Sequence, residues 1–229
     1  MNTEEHIDKI VDTLRKIPMN ELTCLTGGNG KGKSLIRKQM PFAVQRGFPE
    51  EVTEKNLPSV CRSVSMQLRT ESRPEFGALC NMTHDWPLTP TSVSTYHLIK
   101  GLFQELETDE NNRRREQKKH YLIIDEPEIG MSRESQLGIA EYIKKQYLDH
   151  KKEIYGLLVI THSETIVKTL KDISTFISLD DYGSAEEWLD REIAATDFEQ
   201  LEKESEKLFV AVRDQSKPHK EKEDGEERG

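Results

Sequence analysis

Near the front of the chain runs Gly27-Gly28-Asn29-Gly30-Lys31-Gly32-Lys33-Ser34, which fits the spacing G-x-x-x-x-G-K-[ST]. Glycines lack a Cβ, so the backbone can close around a bulky anion and turn its N–H groups inward. A helix starting directly behind such a loop adds its N-terminal dipole. Those features suit the phosphate tail of a nucleoside triphosphate. Lys33 would reach the β- and γ-phosphates, and the Ser34 hydroxyl would ligate Mg²⁺. Gly27 through Leu35 are the expected nucleotide-binding stretch. A glycine-rich turn without a ligand is the alternative. The setting favours phosphate binding, because an apolar run from Leu22 to Leu25 precedes the loop and a helical pattern follows it.

A second constellation is Tyr121-Leu122-Ile123-Ile124-Asp125-Glu126-Pro127-Glu128, an apolar strand that delivers two adjacent carboxylates at its C-terminal end. Ligands of open α/β sheets bind at that edge. Asp125 would hold Mg²⁺ through water, and Glu126 would orient or deprotonate an attacking water. Taken alone, the pair is an ordinary acidic turn; downstream of the glycine loop it reads as catalytic. Glu128 is accounted for as a helix-start carboxylate beside the macrodipole. The third candidate is His162, which ends the buried-strand pattern Gly156 to Thr161 and could contact the γ-phosphate or the water. In isolation it would be a turn or capping residue. Its order after the loop and the carboxylate pair gives it a catalytic reading beside Glu126 and Lys33.

The elements that must position these residues follow from apolar spacing. Ile7, Ile10, Val11 and Leu14 predict a helix over residues 4–17, closed by Pro18. A strand over 22–25 leads into the glycine loop, and a helix from about Lys33 to Gln39 ends before Pro41. Residues 42–110 are punctuated by Pro49, Pro58, Pro74, Pro87 and Pro90 and read as an irregular inserted lobe, with a short strand near Val64 to Leu68 and a helix over 92–106. Beyond it, strands at 121–124, 156–161 and 175–179 alternate with helices at 133–148 and 164–171. Continuous Leu/Ile/Val runs of this kind belong to parallel strands buried on both faces. Ser184 to Val212 is expected to be helical. The Lys/Glu/Asp/Gly-rich residues 214–229 read as a disordered charged tail. Residues 1–213 then form one α/β domain with a mostly parallel central sheet flanked by helices.

The ordered set of motifs resembles the ABC-type P-loop ATPases. Asp125-Glu126-Pro127-Glu128 with Thr161-His162-Ser163 is most similar to the RecF, SMC and overcoming-lysogenization-defect branch. The resemblance covers residues 22 to 40 and 121 to 180 and implies a P-loop NTPase fold with ATP and Mg²⁺ as ligands. It also implies that Gln67 is the glutamine that senses the metal and the γ-phosphate; an ordinary surface glutamine is the alternative. The chain departs from the family in having no Leu-Ser-Gly-Gly-Gln signature. Thr91-Ser92-Val93-Ser94-Thr95 occupies roughly its place, so Ser92 or Ser94 could substitute through a hydroxyl, or could simply cap a helix. No heptads of a coiled-coil arm occur either.

Composition narrows the functions. The chain has 229 residues and a net charge of −9, which gives no overall electrostatic footprint for nucleic acid. Arg113-Arg114-Arg115 with Lys118 and Lys119 is the best candidate for a basic patch, but it sits in a polar run, Asp109 to His120, that also carries Asp109, Glu110 and Glu116 and reads more readily as a solvated loop or helix end than as a DNA-binding surface. Cys24, Cys61 and Cys80 match neither a disulfide framework nor a zinc site. No apolar run approaches membrane-spanning length, and the expectation is a cytoplasmic protein without direct membrane insertion. The functional expectation is an ATP-hydrolysing, nucleotide-gated switch that forms an ATP-dependent homodimer and serves an unidentified protein partner, with nucleic acid as a further candidate. DNA maintenance, defence or mobile-element systems fit the resemblance. The alternatives are the ATP-binding subunit of a membrane transporter, or a regulatory module that holds ATP with little turnover.

Overall fold

The computed structural model describes residues 3–46, 60–66, 90–111 and 119–192, together with 199, 202, 203 and 206. In chain order the elements are α1 (Thr3–Lys16), β1 (Leu22–Thr26), α2 (Lys33–Arg46), β2 (Val60–Ser65), α3 (Thr91–Asn111), β3 (His120–Asp125), α4 (Arg133–Asp149), β4 (Ile154–Ile160), α5 (Glu164–Leu170), β5 (Thr175–Ser178) and α6 (Ala185–Leu189). A 3₁₀ turn, Lys171–Ile173, joins α5 to β5. The strands form one parallel sheet in the order β2-β3-β4-β1-β5.

The two-residue side-chain period of a strand sorts the core onto two faces. Leu25, Tyr121, Ile123, Leu158 and Ile160 pack with Ile10, Leu14, Ile36, Met40 and Val44 of α1 and α2. Leu22, Leu122, Ile124, Leu157 and Val159 turn the other way, onto Leu98, Leu102, Ile139, Ile143, Ile166 and Leu170 of α3, α4 and α5. The sheet is therefore sandwiched between helical layers, and the uninterrupted apolar strands of the sequence match burial on both sides. Because β1 feeds α2 on one face while its neighbour β4 feeds α5 on the other, the chain changes direction between β1 and β4. Ligands of open α/β sheets settle at such a crevice.

Several boundaries differ from the sequence reading. The loop helix does not stop before Pro41 but runs to Arg46 with the proline inside it. An interior proline costs about 3 kcal/mol. Fully buried Ile36, Met40 and Val44 bracket it on one face, and at about 1.5–3 kcal/mol per buried side chain their packing outweighs that cost. Within 42–110, read as an inserted lobe, Val60–Ser65 is an edge strand of the central sheet and Thr91–Asn111 packs on its face. The helix expected over 184–212 breaks after Leu189, where the Asp190 N–H bonds the Glu186 carbonyl, and the described residues 199, 202, 203 and 206 are helical again; the rest of that span lies outside the described residues. Trp188 anchors that short helix against Cys24 and Val167. No described helix is long and apolar enough to cross a membrane.

Candidate functional site

Strand register brings the candidate residues to one edge. Ser65, Asp125, Ile160, Leu25 and Ile177 lie side by side as the last full row of the sheet. The glycine loop, Asp125, Glu126 and His162 sit in this row or just beyond it. The loop after β1 reaches positive φ at Gly30 (76°) and Gly32 (99°), conformations open to glycine and costly for other residues. At Gly27 a Cβ would come within 2.8 Å of the Leu179 Cβ, so the first glycine is required by close approach to the end of β5. Lys33 starts α2 with its side chain folded back and 6% exposed overall; its Nζ donates to the carbonyls of Gly27 (2.7 Å) and Gly28 (2.9 Å). Burial pushes the Lys33 ammonium down from its ordinary range, while Glu126, Asp180, Asp125 and Glu128 pull it back up. Ser34 is exposed at the first turn of α2, beside Leu35, which packs partly against the α1/α2 core.

Asp125 shares its side-chain parity with Tyr121 and Ile123 and so faces α2. There its Oδ2 accepts a 2.7 Å bond from the Ser65 hydroxyl. The Arg37 Nε lies 3.1 Å from the same oxygen, an ion pair in which the N–H is not aimed along the hydrogen-bond line. Burial raises the Asp125 carboxyl above the usual range, against the Ser65 bond and Arg37. Glu126 has φ +51°, in the left-handed region that a non-glycine residue adopts at a cost. That conformation ends the strand and re-aims the side chain along the edge, where its Oε1 is 3.5 Å from the His162 Nε2.

The turn after β4 is closely held. Thr161 N–H donates to the Leu25 carbonyl, Ser163 N–H to the Thr161 Oγ1, and the Ser163 Oγ donates to Gln136 while capping α5 at Ile166. Glu128 joins this turn instead of starting a helix as its position suggested. Helix α4 begins only at Arg133, capped by Ser132. Glu128 accepts from the His162 N–H (2.6 Å) and the Thr161 hydroxyl (2.8 Å). Burial raises its carboxyl too, offset mainly by the His162 amide.

The structure thus assembles Gly27 to Ser34, Asp125, Glu126 and His162 at one edge and adds three side chains that the sequence did not single out. These are Arg37, Ser65 and Asp180, whose Oδ2 accepts from the Gly28 N–H at 2.7 Å. Arg37 stands one helical turn after Lys33, and that spacing was the available signal. Gln67, Cys80 and the basic residues 113–118 lie outside the described residues; Lys119 sits over the Tyr155 ring. Neither Ser92 nor Ser94 caps α3. Pro90 precedes the helix and accepts from Val93 and Ser94, and Ser94 is fully buried, which removes it as a signature substitute. Among the described residues no three His, Cys, Asp or Glu side chains gather into a ready-made metal site. In comparison with known proteins, no family model and no curated protein matches this chain.

Proposed function

We propose that the chain binds ATP with Mg²⁺ and hydrolyses it to ADP and phosphate, acting as a nucleotide-gated switch in the manner of the ABC-type ATPases it resembles. The observation that supports this most is the convergence of Lys33, at the start of α2 behind the glycine loop, with Asp125 and Glu126, at the end of β3, across the crevice beside β4. A loop that narrows onto a helix N-terminus suits phosphate oxygens, and α2 carries no acidic residue in its first turn to compete for them.

In this reading the Lys33 ammonium exchanges the carbonyls of Gly27 and Gly28 for the β- and γ-phosphate oxygens. Its buried position makes the exchange strong electrostatically. Asp125 and Ser34 offer the hard oxygen donors that Mg²⁺ prefers, and the ion would neutralise charge building on the phosphates. Glu126 orients the attacking water and accepts its proton as the water oxygen bonds to the γ-phosphorus and the bridging oxygen leaves with ADP. His162, 3.5 Å from Glu126, supports that carboxylate or the γ-phosphate.

The test is purified Glu126→Gln protein against wild type. Retained ATP binding with hydrolysis reduced about a hundredfold or more is expected for loss of a general base. Equal turnover in the two would sink the catalytic assignment. Light scattering of the same variant with Mg-ATP checks the homodimer expected of a switch. One observation favours a second reading, a regulatory module with little turnover: Arg37 already pairs with Asp125. Absence of wild-type turnover despite ATP binding would select it. A nucleic-acid partner would be revealed by binding that weakens steeply with salt.

A further inference from the structure

We propose that Glu128 is a positioning residue that holds His162 against Glu126 by standing in for a missing rung of the sheet; the inference rests on the hydrolytic reading for its consequence but not for its geometry.

Between parallel strands the backbone bonds are evenly spaced. The last regular one between β3 and β4 runs from the Glu126 N–H to the Ile160 carbonyl at 2.8 Å. In a continuing ladder the His162 N–H would donate next to the Glu126 carbonyl. That carbonyl is taken, because the chain turns at Glu126 with φ +51° and the Ile129 N–H donates to it at 3.2 Å. The Glu128 carboxylate fills the vacated role. Its Oε1 accepts from the His162 N–H at 2.6 Å, and its Oε2 accepts from the Thr161 hydroxyl at 2.8 Å.

Thr161 in turn accepts from the Ser163 N–H, and Ser163 donates to Gln136 of α4. The amides of 161–163 and both flanking hydroxyls are thereby committed to fixing the turn. The imidazole is the group that the turn directs toward the Glu126 carboxylate. One carboxylate therefore couples the turn carrying Glu126 to the turn carrying His162. Thr161 is fully buried and His162 is not, so the clamp is anchored inside while its working end stays accessible. Losing it leaves Lys33, Ser34 and the phosphate loop in place and loosens only the distance between the two turns.

The experiment uses the full chain with Glu128→Ala, Glu128→Gln and Thr161→Val, each read by amide hydrogen exchange at His162 and by ATP turnover. Glu128→Ala should speed exchange of the His162 amide about tenfold or more, as loss of a charge-assisted bond requires. It should lower kcat by about ten- to a hundredfold, the scale of a misplacement of about 1 Å, with KM for ATP within about twofold. Glu128→Gln keeps an acceptor for the His162 N–H and should restore most of both. Thr161→Val preserves shape, removes the second anchor together with the acceptor of the Ser163 N–H, and should shift both in the same direction by less. Should Glu128→Ala fail to fold, the comparison of Thr161→Val with Glu128→Gln decides. Unchanged His162 exchange in a folded Glu128→Ala or Thr161→Val protein overturns the clamp. If exchange responds but wild type shows no Glu126-dependent turnover, the clamp stands and the hydrolytic reading fails.

Discussion

Asp125 is 2% exposed as a side chain and has two partners, the Ser65 hydroxyl and the Arg37 guanidinium. Removing one member of a buried pair costs about 3–5 kcal/mol when the other stays charged. Here the raised carboxyl can relieve part of that by taking a proton. Arg37→Gln should therefore lower stability by about 2–3 kcal/mol near neutral pH, and Mg²⁺, if it reaches Asp125, should restore part of the loss. Urea unfolding with and without Mg²⁺ measures both effects, and a variant as stable as wild type would show that Arg37 is not the counter-ion. The Asp180 carboxylate on the Gly28 N–H raises a different question, since it puts negative charge beside a loop proposed to take phosphates. Asp180→Asn keeps an acceptor and removes the charge, so Mg-ATP should bind about three- to tenfold tighter, the scale of a partly screened charge repulsion. Calorimetric titration checks this, and weaker binding would mean that the carboxylate braces the loop. The sequence showed Lys33, Asp125, Glu126 and His162 because each belongs to a local motif. It hid Ser65 and Asp180 because their partners are set by strand register, and the Arg37 pairing because it needs α2 packed on the sheet above Asp125. Ser65 meets Asp125 only once β2 lies beside β3, and Asp180 meets Gly28 only once β5 lies beside β1.

At the scale of elements, β4 is the piece on which the site's geometry depends, since it separates β1 from β3 and fixes the gap between Lys33 and Asp125. Its Gly156 has no room for a side chain: a Cβ there would lie 2.4 Å from the Met19 carbonyl oxygen and 2.7 Å from the Tyr121 ring. Backbone cannot yield as a flexible side chain does, so Gly156→Ala should cost about 1–3 kcal/mol, the usual range for overpacking. A thermal melt against Gly138→Ala tests it, because a Cβ at Gly138 meets nothing within 4 Å and that change, inside α4, should be neutral or stabilising. Equal melting temperatures would rule out the steric account. The strands and helices after Tyr121 were legible because their apolar runs are long and separated by turn residues. Helix α2 was underestimated because proline chemistry is local, whereas the burial of Ile36, Met40 and Val44 that overrides it depends on the sheet. After Ser184 the single helix expected is divided: α6 stops at Leu189, with its buried contacts at Ala185 and Trp188, and residues 199, 202, 203 and 206 are helical again.

For the whole molecule, gathering carboxylates at one sheet edge has a consequence for stability. Asp125 and Glu128 are both raised by burial, so in the folded protein each holds its proton more tightly than in the unfolded chain. Their contribution is fully present below the ordinary carboxylate pKa and is lost as pH rises through the raised folded values. Lys33 is lowered by burial, so its penalty is fully present below its folded pKa and is relieved only as pH climbs toward the ordinary lysine range near 10.5. The carboxylates therefore govern the mildly acidic to neutral side, and the protein should lose stability as pH rises there in the absence of divalent cation. Glu128→Gln isolates one contributor, since the amide does not titrate. Urea unfolding of both proteins in chelator, from about pH 4.5 to about pH 8, should show wild type losing ground to Glu128→Gln as pH increases. A difference that stays flat across that span would mean that Glu128 binds its proton equally well folded and unfolded, in which case its two hydrogen bonds fully offset its burial.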